Sequence, residues 1–177
     1  MSSSHSTRFR RTIAAIDSLT ELGGILGALC LLGILALIAA ELISRNIFAY
    51  SLHFSWDLAG YLMGGCFLLA SASALKGGSH VRVTALVEVL PRAVSRRLDL
   101  FACLLGLAIC GYLAWALIEM AWLSGQRGST AATSFRVPLV YPQGALALGA
   151  AILTLQCLAQ VLRQLRGEAM ATGPGLD

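Results

Sequence analysis

The chain has 177 residues, of which 57% are hydrophobic and 12% are charged, and its formal net charge at pH 7 is +4. Soluble globular domains carry about twice this share of charged residues, so the composition excludes an ordinary soluble domain and favours a protein embedded in a bilayer. The modest positive charge fits basic residues that flank membrane spans and gives no reason to expect nucleic-acid binding.

The apolar residues are gathered into four long blocks, and the first runs without a charge from residue 22 to residue 40. Since a hydrocarbon core about 30 Å thick needs roughly 20 helical residues, this block predicts a first span at about 22–42. Its core is longer than the roughly 7 to 15 residues typical of a secretory signal peptide, so we expect an uncleaved helix. Residues 1–15 are expected to form a flexible tail.

The second block predicts a span at 57–75 and ends in the stretch "ALKGGSHVRV", residues 74–83. Its two glycines suit a tight turn at the end of a helix. His80 has no acid or nucleophile near it in sequence, so it is a poor candidate for catalysis. We expect this stretch to mark the exit of the second helix, with His80 hydrogen-bonding to a helix end or a lipid headgroup, or bracing the partner subunit.

Apolar residues recur at steps of three and four between residues 83 and 98, with arginines interleaved, which is typical of an amphipathic segment. Pro91 must interrupt it, so we predict one short interfacial helix and then a bend into a third span at 99–122. A weaker pattern of this kind follows the first span. The fourth span is predicted at 138–162, with its regular helix beginning around Pro142, and a flexible tail follows at 167–177.

Basic residues are distributed unequally between the two sides of this predicted single four-helix domain. Only Arg45, Arg127 and Arg136 fall on one side. Ten fall on the other side: Arg8, Arg10, Arg11, Lys76, Arg82, Arg92, Arg96, Arg97, Arg163 and Arg166. This asymmetry predicts that both termini are cytoplasmic. The predicted fold class is therefore an all-α membrane protein with four transmembrane helices and short interfacial amphipathic helices.

The sequence offers no set of residues suited to redox, haem or metal chemistry. All five cysteines lie inside the apolar blocks without a C-x-x-C pair, and we interpret them as small packing residues. The three histidines lie outside the spans, where they could not ligate a haem within the bundle. No span carries His, Asp or Glu at the spacing of a metal site, so we expect neither a cofactor nor a metal.

Three acidic residues, Glu41, Asp57 and Glu119, fall at the same helix ends as the three isolated arginines. They could pair across helices, with Glu119 the best candidate for burial, but the favoured expectation is that they meet solvent or headgroups. Small residues four positions apart recur in the spans and indicate close helix packing. These pairs are Gly23 with Gly27, Gly60 with Gly64, Ala102 with Gly106, and Ala145 with Gly149.

An ordered set of short patterns resembles the small four-helix membrane subunit of tripartite ATP-independent periplasmic (TRAP) transporters, the DctQ type. The set comprises "SRNIF" after the first helix, "SWDLAGYL" at the start of the second, and Gly-x-His-Val-Arg-Val after it. It continues with "LP" followed by basic residues before the third helix and "YPQGALALGA" at the fourth. The family patterns fall on Trp56, Asp57, His80, Val81, Arg82, Val83, Ser134, Pro138 and Pro142.

This resemblance implies a scaffold subunit, not an enzyme, in a multi-pass protein of the bacterial inner membrane. It implies two partners, a large membrane subunit that carries the substrate site and the coupling-ion site, most simply for sodium, and a periplasmic substrate-binding protein. Membrane lipids are further expected partners. The residues expected at a subunit or lipid interface are Trp56, Asp57, Gly60, Gly64, His80, Arg82, Pro138 and Pro142.

Two other interpretations are weaker. A four-helix redox carrier or membrane enzyme would need a cysteine pair, histidines inside the spans or a carboxylate cluster. A stand-alone small exporter would need an acidic residue deep in the first helix, and residues 22–40 contain none.

Overall fold

A computed structural model describes residues 3–52, 54–78, 91–132 and 136–166, with side chains described from residue 12 onward except at 92 and 93. His80, Arg82 and the predicted short interfacial helix before Pro91 lie outside the described residues. The tail at 167–177 lies outside them as well.

The described residues form four helices: α1 (Ser3–Ile47), α2 (Phe54–Lys76), α3 (Arg92–Arg127) and α4 (Val140–Arg166). Each contains an apolar stretch long enough to cross a membrane. Even the shortest, at 23 residues, measures about 35 Å at 1.5 Å per residue, which exceeds a hydrocarbon core of about 30 Å. The prediction of an all-α protein with four transmembrane helices is therefore confirmed.

Helix α4 lies at the centre of the packing. It contacts α1, α2 and α3, and α1 and α2 also pack against each other. Half of the most apolar window of α4 is buried within the chain, whereas about a tenth or less of the corresponding windows of the other three helices is buried. Among the described residues, α3 packs extensively only against α4. The chain is thus a compact unit of α1, α2 and α4 with α3 attached along one side of α4.

Glycines bring the helix backbones of this unit together. A Cβ added at Gly27 of α1 would lie 3.2 Å from the Ala70 nitrogen of α2, and one at Gly149 of α4 would lie 3.0 Å from the Leu68 Cβ of α2. A Cβ at Gly64 would lie only 2.6 Å from Leu146 Cδ2 of α4. Three of the small-residue pairs found in the sequence therefore contribute a glycine to packing within the chain.

Two helices start well before the predicted spans. Helix α1 is helical from Ser3, nineteen positions before the predicted span begins at residue 22, which adds about 28 Å of helix. Whether residues 1–15 are flexible stays a prediction. Helix α3 begins directly after Pro91, whose φ of −55° suits a helix start, and continues without a break to Arg127. Residues 94–98, predicted to lie in the interfacial segment, therefore belong to α3.

The start of α4 agrees with the sequence. Val140 is its first residue and Pro142 its third, where a proline removes no helical hydrogen bond. Pro138 lies outside the helix, in an isolated antiparallel bridge with Thr130.

Replacing Gly149 with leucine is expected to destabilise the fold, because the new side chain meets Leu68 at the contact between α2 and α4. Overpacking of this kind costs about 1–3 kcal/mol. The matched control is Gly144→Leu on the same helix, since nothing lies within 4 Å of a Cβ added there. Thermal unfolding in mild detergent should show a lower Tm for the first variant only. Equal Tm values for both variants would contradict the close approach at Gly149.

Candidate functional site: polar clusters at the two ends of the bundle

Two ends of the bundle are distinguished by the helix directions. At the termini side, α1 and α3 begin and α2 and α4 end; at the opposite side, the order is reversed. Polar side chains gather at both ends, and the two groups differ in how their charges are paired.

Buried amide side chains join the helices at the termini side. The Thr20 hydroxyl of α1 donates to Gln156 Oε1 of α4 at 3.0 Å, and both residues are fully buried. One turn further along α4, Gln160 Nε2 donates to the Leu75 carbonyl of α2 at 3.2 Å. Because polar groups buried in an apolar environment are costly unless hydrogen-bonded, these contacts fix how α4 sits against both neighbours.

Two ion pairs complete the termini-side cluster. Arg163 of α4 pairs with Asp17 of α1, and both side chains are about four-fifths buried. Lys76 at the end of α2 pairs with Glu21 of α1 at 2.5 Å and also donates to the Asp17 carbonyl at 3.3 Å. Each pair therefore ties α1 to a different helix. Asp17 and Glu21 lie four residues apart, on one face of α1, which is why they can serve two partners.

These pairs were not predicted from the sequence, where only the acidic residues of the opposite side were candidates for pairing across helices. The available signal was the i, i+4 spacing of Asp17 and Glu21 just before the first apolar block, opposite the basic ends of the second and fourth. Because α1 begins at the side where α2 and α4 end, these acidic and basic residues fall at the same depth along the bundle axis.

Glu41 at the opposite side is buried, so the favoured expectation that it meets solvent or headgroups is wrong for this residue. Its carboxylate accepts hydrogen bonds from the Ser51 hydroxyl and the Leu52 backbone nitrogen, both at 2.7 Å. It thereby holds the short connection between α1 and α2. Glu119, the sequence's best candidate for burial, is exposed and is therefore not buried against this chain.

The predicted interface residues do not form one site. On α2, Trp56 is 74% exposed and Gly60 is open to the outside, with nothing within 4 Å of an added Cβ. The space beside Gly64, one turn further along α2, is filled by the side chain of Leu146 from α4 of the same chain. Asp57 is half-buried, and its Oδ2 atom has no hydrogen-bond partner among the described residues. Of the predicted interface residues that the structure describes, the last two are Pro138, which precedes α4, and Pro142, which is its third residue.

The connection between α3 and α4 is an ordered hairpin as far as it is described. Gly128 ends α3 in the left-handed conformation, with a φ of 60°. Two backbone hydrogen bonds then join its arms: Leu139 N donates to Ser129 O at 2.9 Å, and Ala131 N donates to Val137 O at 2.8 Å.

The cysteines lie where packing residues are expected. Cys157 of α4 lies 3.7 Å, sulfur to sulfur, from Cys110 of α3, and the Thr154 hydroxyl donates to the Cys110 carbonyl at 2.9 Å. These contacts help to attach α3 to α4. The described part of the chain contains no group of three or more His, Cys, Asp or Glu side chains placed to hold a metal.

Four apolar helices joined by glycine contacts and closed at both ends by polar clusters define a multi-pass membrane protein. A family model described as "Tripartite ATP-independent periplasmic transporters, DctQ component" matches residues 34–167, about three quarters of the chain. The chain therefore belongs to the DctQ family, and it is a small membrane subunit of a TRAP transporter, not an enzyme. Members of this family work with a large membrane subunit and a substrate-binding protein. A comparison with curated proteins gives no significant match.

Replacing Arg163 with glutamine is expected to lower the free energy of unfolding, because it leaves the largely buried Asp17 carboxylate without its cation. Hydrogen bonds to charged groups are worth about 1.5–3 kcal/mol, which sets the expected loss. The matched control is Arg97→Gln, since Arg97 is exposed. Unfolding in mixed detergent micelles measures both variants.

Adding Asp17→Asn to Arg163→Gln should recover part of the loss, since the unpaired charge is then removed as well. A double variant as unstable as the sum of the two single variants would show that the two side chains do not interact.

Proposed function

We propose that this chain is the scaffold subunit of a sodium-coupled TRAP uptake transporter in the bacterial inner membrane, with both termini cytoplasmic. In this role it packs against the large transport subunit and helps to dock the periplasmic substrate-binding protein. The family membership supplies the transporter class. The asymmetry of basic residues supports the orientation, which would put the termini-side cluster at the cytoplasmic surface.

The observation that carries the scaffold role is the separation of packing surfaces. The contacts that close the chain's own bundle use Gly27, Gly64 and Gly149 together with the termini-side ion pairs. The outer faces of α1, α2 and α3 remain uncovered by this chain. A rigid unit with large uncovered apolar faces suits a subunit that supports a moving partner, because its own shape does not depend on that partner.

The outer face of α2 is the part of this surface that we assign to the large subunit. It presents Trp56, Gly60, Met63 and Phe67 at helical spacing, and the three large side chains are at least 66% exposed. Open glycines between large side chains let the backbone of a second helix approach closely, which is a main source of helix association in lipid. The coupling-ion and substrate sites are assigned to the large subunit.

Gly60→Leu is expected to reduce co-purification of the large subunit from membranes in mild detergent. The new side chain fills the open space beside Gly60 on the outer face of α2, where we place the helix of the large subunit. Its own fold should be unchanged, since nothing of this chain lies near the added side chain. The matched control is Gly106→Leu on α3, where an added Cβ also meets nothing within 4 Å.

Normal co-purification by Gly60→Leu would reject the α2 face as the contact. The scaffold role itself fails if no large polytopic membrane protein co-purifies with the unmodified chain and transport survives its deletion.

A further inference from the structure

Three buried polar atoms of the termini-side cluster have no hydrogen-bond partner among the described residues. They are Asp17 Oδ1, Gln156 Nε2 and Gln160 Oε1. Gln156 is fully buried and Gln160 is 5% exposed. Each of the three side chains uses its other polar atom to bind a neighbouring helix. A buried donor or acceptor without a partner is costly, so a ligand bound at this point would stabilise the bundle.

The three side chains converge where α1, α2 and α4 meet. Gln156 and Gln160 occupy successive turns of α4 and are attached about 6 Å apart along its axis, which is about two hydrogen-bond lengths. Asp17 lies at the level of Gln160. Its backbone carbonyl accepts from Lys76, and Gln160 donates to the carbonyl of the preceding residue, Leu75. The spacing therefore suits one small ligand between the three side chains.

The three atoms together match a water molecule. Asp17 Oδ1 and Gln160 Oε1 accept hydrogen bonds and Gln156 Nε2 donates one, so a water with two O–H groups and an acceptor oxygen can bind all three. Three bonds are the usual number for a buried water. A metal cation would face the N–H group of Gln156 and the nearby Arg163 cation, and an anion would face the Asp17 carboxylate. A direct bond between the two glutamines would leave Asp17 Oδ1 without a partner.

The opposite side of the bundle does not have this pattern. The two other buried polar atoms without a partner among the described residues are Asp57 Oδ2 and Gln143 Oε1, and both are acceptors. Their side chains are only half-buried. The complementary set of two acceptors and one donor is therefore specific to the termini-side cluster.

We propose that a bound water molecule joins Asp17, Gln156 and Gln160 within the termini-side cluster. It donates to Asp17 Oδ1 and Gln160 Oε1 and accepts from Gln156 Nε2. The water links α1 to α4, and through Gln160 it is connected to the end of α2. Gln156 lies seven residues before Arg163, about 10 Å deeper along α4, so this water lies on the membrane side of the Asp17–Arg163 ion pair. The site does not depend on the proposed function.

The test measures magnetisation transfer from water protons to glutamine side chains by solid-state NMR. It uses the complete complex in lipid bilayers, with ¹⁵N-labelled glutamine in this chain. At mixing times shorter than amide proton exchange, transfer to the Gln156 side-chain amide is expected despite its complete burial. The exposed Gln126 side chain is the positive control. Transfer to Gln126 without transfer to Gln156 overturns the proposal.

Two substitutions at residue 160 separate the water from the bond to Leu75, which both variants lack. Gln160→Met also removes an acceptor and leaves the water with two partners, so transfer to Gln156 should fall. Gln160→Glu keeps an acceptor oxygen, so transfer should persist. The matched control is Gln164→Met, one turn further along α4, where the glutamine is also buried, at 8% exposed. This control should not change the transfer.

Unchanged transfer in Gln160→Met overturns the proposal, and so does an equal fall in both substitutions at residue 160, because the lost bond to Leu75 would then explain it. Replacing sodium with choline at constant ionic strength should leave the transfer to Gln156 unchanged, whereas a dependence on sodium would assign the site to a cation. Co-purification of the large subunit is measured on every variant. If a variant does not assemble, the measurement on the unmodified complex decides alone. All of these outcomes leave the scaffold role standing.

Discussion

The close approach of helix backbones at glycine is the constraint on which the rest of this structure depends. Lipid tails are as apolar as leucine, so helices in a bilayer gain little from burying leucines against each other. They gain from dispersion contacts, which need the short separations that only small residues permit. Gly27 against Ala70 and Gly149 against Leu68 provide these separations. Once α1, α2 and α4 are this close, the side chains at their ends are brought within hydrogen-bonding distance.

The polar clusters depend on that approach and in turn fix its register. Helices that pack through small residues alone can slide along one another at modest cost, because successive turns present similar surfaces. A buried Thr20–Gln156 hydrogen bond and an Asp17–Arg163 pair exist in one register only, and every other register removes these contacts from groups that lie in an apolar environment. Glu41 performs the same task at the opposite side, where it binds the backbone of the connection to α2.

The sequence predicted the features that depend on one helix at a time and missed those that depend on two. Hydropathy and length located all four helices, and the proline at residue 142 located the start of α4. Spacing could not distinguish Gly60 from Gly64, because both belong to one small-residue pair. Only the structure shows that Gly64 contacts Leu146 of α4, whereas no residue of this chain lies near a Cβ added at Gly60. The pairing of Asp17 with Arg163 spans 146 positions and depends on helix directions and rotations that no local pattern encodes.

Because α3 packs extensively only against α4 among the described residues, the two helices differ in how firmly they are held in the bundle. The hairpin that carries Arg127 and Arg136 joins the outermost helix to the central one. Helix α4 is held by hydrogen bonds to α1 and α2 and by an ion pair to α1, whereas α3 packs extensively only against α4 among the described residues. Because α4 is the better anchored of the two helices, a force applied at the hairpin is expected to displace α3 before it disturbs the glycine-packed unit of α1, α2 and α4.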